Sequence, residues 1–399
     1  MSQQQGALAG LRVIDLTRVL GGPFCTQTLS DHGAEVIKVE PPQGDEVRDW
    51  GPPFRDGVAS YYVGINRNKR TMALDLAQPQ GRDVLLRLLE RADVLVENYK
   101  TGTFEKWGIG YHDVLAKRFP KLIHCKISGF GPDGPRGGMP GYDAVVQAMS
   151  GLMSINGTQD SGPTRIGNPI VDLGTGLSAA IAILMAAYER QRSGKGQYVE
   201  VSLYDTAVSL LHPQAANFFM SGQKPVITGN AHPNITPYDA FPTRTKQIFL
   251  AVGNDRQFAR LCAELGRPEL AQEARFRTNK DRRENRPALT EILRDLLASQ
   301  DAEALADRLL EAGVPAGAVQ DIPGVMADAH TRHNGMVVED GAYTGTGTPM
   351  KFSRTPARRA EAPHPFGADN RAVLRESGFS DDEIKSLIAD GIVLEERRK

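Results

Sequence analysis

The stretch "LRVIDLTRVLGGPF", Leu11–Phe24, reads as a short apolar strand, a glycine turn and the start of a helix. The pattern recurs. "AEVIKVE", Ala34–Glu40, "ADVLVENY", Ala92–Tyr99, and "KLIHCKISGFG", Lys121–Gly131, are further strand candidates. Between them lie helical periodicities, notably Gln80–Arg91 with Val84, Leu85, Leu88 and Leu89 on one face. Strands alternating with helices predict an α/β fold with a parallel sheet covered on both faces. A helix from about Gly174 to Arg192, the strand "QYVEVSL" and a helix from about Tyr204 to Met220 follow.

The texture changes near Ser221. "GQKPVITGNAHPNITPYDAFPTR" is rich in Pro, Gly and Asn and is expected to be loop. A strand, "QIFLAVG", and helices around Asp255–Leu265, Arg286–Ala298 and Asp301–Ala312 then describe a smaller α/β unit. The loop-rich "YTGTGTPMKFSRTPARRAEAPHPFG" leads to a last helix, where Ser380 and Glu383 have capping-box spacing. The expected division is a large domain over residues 1–221, a small domain over 222–334 and a returning segment over 335–399.

Composition is that of an ordinary globular protein: 399 residues, 40% hydrophobic, 24% charged. A formal net charge of -1 gives no global attraction to nucleic acid or anionic lipid. The basic run "KDRRENR", Lys280–Arg286, is broken by acids and is expected on a solvated helix face. Cys25, Cys125 and Cys262 are widely spaced, which suits a reducing cytoplasm better than disulfides or zinc. The start "MSQQQGALAG" lacks signal-peptide character, and no window is expected to span a membrane. His330 and His333 form an H-x-x-H without a further ligand, so no metal site is expected. Neither G-x-G-x-x-G nor a P-loop motif is present, and G-x-S-x-G is absent.

One acid stands out. In "RIGNPIVDLGTG", Arg165–Gly176, Asp172 lies between apolar residues and a Gly-Thr-Gly step. It can be read as a helix N-cap. The same placement suits a carboxylate nucleophile with main-chain N–H groups nearby to stabilise an oxyanion. Other positions are equally two-sided. The turn Arg18–Phe24 could hold an anion at a helix start or be a plain connection. Asn98, Tyr99 and Lys106 follow a strand end, where open α/β sheets bind ligands. Tyr142 and Asp143 open a helix, as a packing aromatic and a capping acid or as site residues.

Taken together and in order, the motifs resemble the class III coenzyme A-transferases (the CaiB/BaiF type). They are "LAGLRVIDLTRVLGGPF", "GAEVIKVEPPQGD", "NRNKRTMALDL", "ADVLVENY", "GYDAVVQAMSGLM", "VDLGTGL", "RSGKGQYVEVSLYD", "FLAVGNDRQFARLC", "EAGVPAGAV" and "HNGMV". The likeness is greatest to members that handle dicarboxylates with succinyl-CoA. It implies a Rossmann-like large domain with a smaller inserted α/β domain, in an interlocked, ring-like homodimer. Asp172 matches the family's catalytic aspartate, which carries CoA as an aspartyl thioester formed through mixed anhydrides. Val19, Leu74, Asn98, Tyr99 and Lys106 match positions around CoA. Tyr142 and Asp143 match positions beside the thioester, and Leu203 an apolar wall. Coenzyme A is then a substrate, with no prosthetic group, and no nucleic acid or membrane partner is implied.

The departures narrow the choice. Leu20 stands where oxalate-handling members carry glutamine, and "HPNITP", His232–Pro237, replaces their glycine-rich loop. Pro41 and Ala77 replace basic residues near CoA. The alternatives are an α-methylacyl-CoA racemase-like isomerase and a non-catalytic CoA-binding protein. Tyr142 stands where racemases place a histidine base, and the intact aspartate motif argues against a silent binder.

Overall fold

The computed structural model describes residues 6–341 and 343–398. Met1–Gln5, half of the stretch read for signal-peptide character, lies outside them. The chain divides into two compact units. The first comprises Met1–Leu152, Arg165–Ala216 and His330–Lys399, and the second Met153–Thr164 and Asn217–Ala329.

The first unit is built on six parallel strands: β1 (Arg12–Asp15), β2 (Glu35–Glu40), β3 (Arg70–Ala73), β4 (Val94–Glu97), β5 (Ile123–Ser128) and β6 (Tyr198–Ser202). Their order across the sheet is β6-β5-β4-β1-β2-β3, the doubly wound order with its reversal between β1 and β4. Alternation along each strand feeds two cores. Val13, Val36, Val94, Val96 and Cys125 join α1 (Gly21–Asp31) and the buried face of a long helix further on. Ile14, Ile37, Met72 and Leu95 join α2 (Pro79–Leu89) and the C-terminal helices Asn370–Glu376 and Asp381–Ala389. The expected capping box at Ser380 and Glu383 is present.

In this part of the chain four local expectations differ from the structure. Strand β3 went unrecognised, because the charged run Asn66–Arg70 precedes it and it sits at the sheet edge. The long helix starts earlier than expected: after α3 (Asp143–Ser150), α4 covers Ile170–Ser193. By length and composition α4 would suffice to cross a membrane, contrary to the expectation that no window would. Its buried residues, Ala179, Ala180, Ile183 and Ala186, instead belong to the core against the sheet. The helix expected over Tyr204–Met220 is two, α5 (Leu203–Ser209) and Gln214–Ser221, with Pro213 between them.

The second unit holds a three-stranded antiparallel sheet, β7 (Tyr238–Phe241), β8 (Ile248–Ala251) and β9 (Ala316–Ala318). Helices α6 (Asp255–Glu264), α7 (Arg286–Leu297) and α8 (Ala302–Glu311) pack around it through Phe258, Leu261, Leu293 and Leu305. Strand β7 falls in a stretch expected to be loop; pairing with β8 overrides its turn-rich surroundings. The loop expected after Gly341 likewise contains a strand, Tyr343–Thr346, paired with Val337–Asp340. In the basic run Lys280–Arg286, Arg282 is not solvated. It is wholly buried, donating to the carbonyls of Thr236 and Phe276 and to Asp255. All three cysteines are buried and free.

Helices α1 and α4 cross where both are bare of side chain. A Cβ added at Gly176 would lie 2.6 Å from the Gly21 carbonyl oxygen and 3.1 Å from the Phe24 ring. Gly176→Ala therefore tests packing against propensity. Alanine is the better helix former by about 1 kcal/mol, but overpacking costs about 1–3 kcal/mol. The melting temperature by calorimetry is expected to fall; a rise would mean the crossing tolerates a methyl group.

Candidate active site

Asp172 is the third residue of α4, not its cap: Pro169 occupies the capping position and offers no side-chain bond. The capping reading is thus corrected, and the cap comes from elsewhere. Asp143, first residue of α3, accepts the N–H groups of Val171 at 2.8 Å and Asp172 at 3.1 Å. Its other oxygen accepts from Gln147 Nε2 at 2.6 Å. Asp143 thus satisfies orphan donors of one helix from the start of another. It also sets a second carboxylate beside Asp172.

Burial, and after it the charge of Asp143, pushes the Asp172 carboxyl up to about 7. The carboxylate therefore has unusual basicity for an aspartate. Tyr61 lies in the same field: burial, then the charges of Asp172 and Asp143, raises its phenol. Its ring meets Trp50 edge-on at 5.4 Å.

Asp172 opens onto a cavity of ≈ 300 Å³. Around it stand the loop after β1 (Arg18–Gly22), the loop after β4 (Asn98–Thr101), the segments 127–129 and 138–142, and Leu203. Those two loops leave the strands flanking the order reversal, where doubly wound sheets bind ligands. They are tied together. Arg18 N–H donates to Asn98 Oδ1 at 3.0 Å, and Asn98 Nδ2 donates to the Arg18 carbonyl at 2.8 Å.

The turn is held in an unfavourable shape. Val19 has φ 70°, a conformation that its branched side chain resists at roughly 1–3 kcal/mol. Beyond it, α1 begins at Gly21, and Leu20, Gly21 and Gly22 all border the cavity. A Cβ at Gly21 would sit 3.3 Å from Asp172 Oδ1, so glycine permits the approach. The first N–H groups of a helix are free donors with the positive end of its dipole behind them. Such donors beside a carboxylate suit negative charge developing on an acyl oxygen.

Among the residues singled out from sequence, Val19, Asn98, Tyr99, Tyr142, Asp172 and Leu203 come together at this cavity. Asp143 stands behind Asp172 through its hydrogen bonds. Leu74 and Lys106 do not line it. Leu74 is buried in the core, its N–H bonded to the Glu40 carbonyl and its strand end bridged to Val393. Lys106 is exposed on the short helix Thr103–Lys106. Sequence reasoning gave no role to Lys100, Thr101, Tyr61 or the side chain of Arg18, all near the site; none carries a motif of its own. Among the described residues, no group of three or more His, Cys, Asp or Glu could hold a metal ion.

Fold and site together define an α/β enzyme with a basic carboxylate facing a helix N-terminus at the switch point of its sheet. The chain belongs to the CoA-transferase family III, whose model matches residues 8–370. It is 40% identical to the succinate–glutarate CoA-transferase of Agrobacterium fabrum, over 94% of this chain and 97% of that one. It is 37% identical to the succinyl-CoA:glutarate CoA-transferase of mouse, over 98% and 91%. The crystal structure of a CaiB/BaiF family protein from Brucella suis superposes with a TM-score of 0.85 at 39% identity, covering 94% of this chain and 100% of that one. The protein is accordingly a class III CoA-transferase acting on acyl-CoA substrates.

The raised Asp172 carboxyl has a stability consequence. A group whose pKa is higher folded than unfolded disfavours the folded state once it must ionise. The cost is absent below the ordinary carboxylate range, grows as pH rises toward about 7, and is full above it. Asp172→Asn is expected to raise the melting temperature at pH 8 by several degrees, with the gain shrinking toward pH 4. An equal gain at both pH values would contradict the raised carboxyl.

Proposed function

We propose that the enzyme moves CoA from succinyl-CoA to a dicarboxylic acid, with Asp172 as the covalent carrier. The observation that carries this reading is the basic Asp172 carboxylate beside the free N-terminal turn of α1 in one cavity. An Asp172 oxygen attacks the succinyl thioester carbon, the C–S bond breaks, and a mixed anhydride and CoA thiolate result. The thiolate attacks the Asp172 acyl carbon and expels succinate, leaving an aspartyl-CoA thioester. The acceptor carboxylate attacks that carbon and expels thiolate. The thiolate then takes the acceptor's acyl group and frees Asp172. No electrons are gained or lost overall, and thioester energy is conserved while water is kept out. Leu20, Ile127, Met139 and Leu203 supply apolar wall for that purpose.

Val19, Asn98, Tyr99 and Tyr142 are proposed to border the thioester end of CoA, with Asp143 holding Asp172 in place. Leu74, being buried, would act only through the backbone at its strand end. Exposed Lys106 would meet the phosphate end as a point charge. A dicarboxylate acceptor is supported by Arg18. It lines the cavity, makes no ion pair with a described residue, and has a buried Nε without a partner. Such a guanidinium suits a substrate carboxylate. The similarity to glutarate-handling relatives points the same way. Free thiols suit a cytoplasmic setting.

Mixing with succinyl-CoA, quenching and weighing the intact protein is the direct test. A CoA-sized adduct on Asp172, absent from Asp172→Ala and discharged faster by glutarate than by a monocarboxylate of equal length, is expected. Full turnover by Asp172→Ala would sink the covalent assignment.

A homodimer is also proposed. Helix α4 leaves Leu177, Ile181, Leu184, Met185 and Tyr188 exposed, at 66% for Met185 and 67% for Tyr188, an apolar face that favours a partner surface. Interlocked rings would not separate without unfolding. Sedimentation is expected to show a dimer at every concentration at which the protein is folded; a folded monomer would contradict this.

A further inference from the structure

Val19 keeps an unfavourable backbone conformation in the wall of the site, and something must enforce it. Its flanks show what does. On one side, Arg18 is bonded through both its N–H and its carbonyl to Asn98. On the other, the Val19 N–H donates to Asp45 Oδ1 at 3.2 Å. Asp45 lies outside the cavity lining, although its neighbour Glu46 is part of it. It is wholly buried, and its second oxygen accepts from Lys38 Nζ at 2.8 Å, an ion pair with neither side chain exposed. Lys38 Nζ also donates to the Thr17 carbonyl at 2.8 Å, two residues before Val19. The Asp45 N–H is bonded in turn to Glu40 Oε2 at 2.8 Å, and Glu40 is fixed by Arg48.

We propose that Asp45, charged and oriented by Lys38, is a positioning residue for the reaction at Asp172. It keeps Val19 in the left-handed region, so that Leu20, Gly21 and Gly22 stay against the carboxylate. The burial of the pair favours this over a purely structural role. An ion pair sealed from water gains little net stability over apolar packing of the same volume. This one ends on the N–H of Val19, a strained residue that borders the site, at 3.2 Å, and more distantly on the N–H of Val47 at 3.4 Å. The proposal rests on the transferase reading for its kinetic arm but not for its structural arm.

The test removes the pair together, as Lys38→Met with Asp45→Ala, so that no lone charge is left buried. In a crystal structure of this variant, Val19 is expected at negative φ with the main chain of Leu20–Gly22 displaced from Asp172 by about 1 Å, a shift that can cost about 100-fold in rate. Its aspartyl-CoA formation should be slower at saturation by at least about tenfold, with the half-saturating acyl-CoA concentration changed far less. Adding Val19→Gly should return φ to positive values and recover most of the rate, because glycine meets no penalty there. A doubly substituted protein that retains φ near 70° with Gly21 in place overturns the proposal. So does a rate that Val19→Gly does not recover. If wild type forms no adduct with any acyl-CoA, the transferase reading fails, and the crystal structures still decide the role of Asp45.

Discussion

Two pairs of opposite charges, both sealed from water, hold the site together. Lys69 Nζ bonds Asp15 at 3.1 Å, the Pro23 carbonyl at 2.8 Å and Asn66 at 2.8 Å. Asp15 also accepts from the N–H and hydroxyl of Thr17 and the hydroxyl of Thr26. Lys38 and Asp45 complete the set a few residues away. Burial alone would raise the Asp15 carboxyl, but Lys69 and Lys38, together with the hydroxyls of Thr17 and Thr26, more than offset it and hold it low. Burial pushes the Lys69 ammonium down to about 8, against the pull of Asp15. Breaking one partner out of such a pair costs about 3–5 kcal/mol, because the other is left charged and dry. The chain from β1 into α1 is thereby fixed at several points.

That fixation explains how the Asp172 carboxylate becomes a basic one. Asp172 belongs to α4, yet its surroundings come from α1, α3 and the loop after β4. Gly21 and Gly176 let α1 and α4 approach backbone to backbone, and Asp143 holds the first turn of α4 from the side. Each contact removes water from Asp172 or adds negative charge near it, and both raise its carboxyl. The donors of α1 stand opposite, where charge would develop during acyl transfer.

Much of this was legible in the chain. Alternating strand and helix patterns gave a parallel α/β sheet, and five of the six strands could be placed from their apolar runs. Strand β3 escaped because its leading residues are charged, and those charges turn out to be the buried network itself. A lysine between Ile37 and Val39, inside a strand covered on both faces, was the available signal. Arg282 was misjudged for a related reason. A basic run looks solvated until a buried set of carbonyls is found to receive one member.

The sequence by itself determined the strand–helix alternation, the family motifs and the identity of Asp172 as the acid to watch, because these are local patterns of residue type. Only the tertiary structure decided that Asp172 is not a cap, that Asp143 caps α4 across space, and that Val19 is strained by partners more than 20 residues away. Burial, charge proximity and close backbone approach depend on distances through space. Residues distant along the chain set those distances, and no local pattern encodes them.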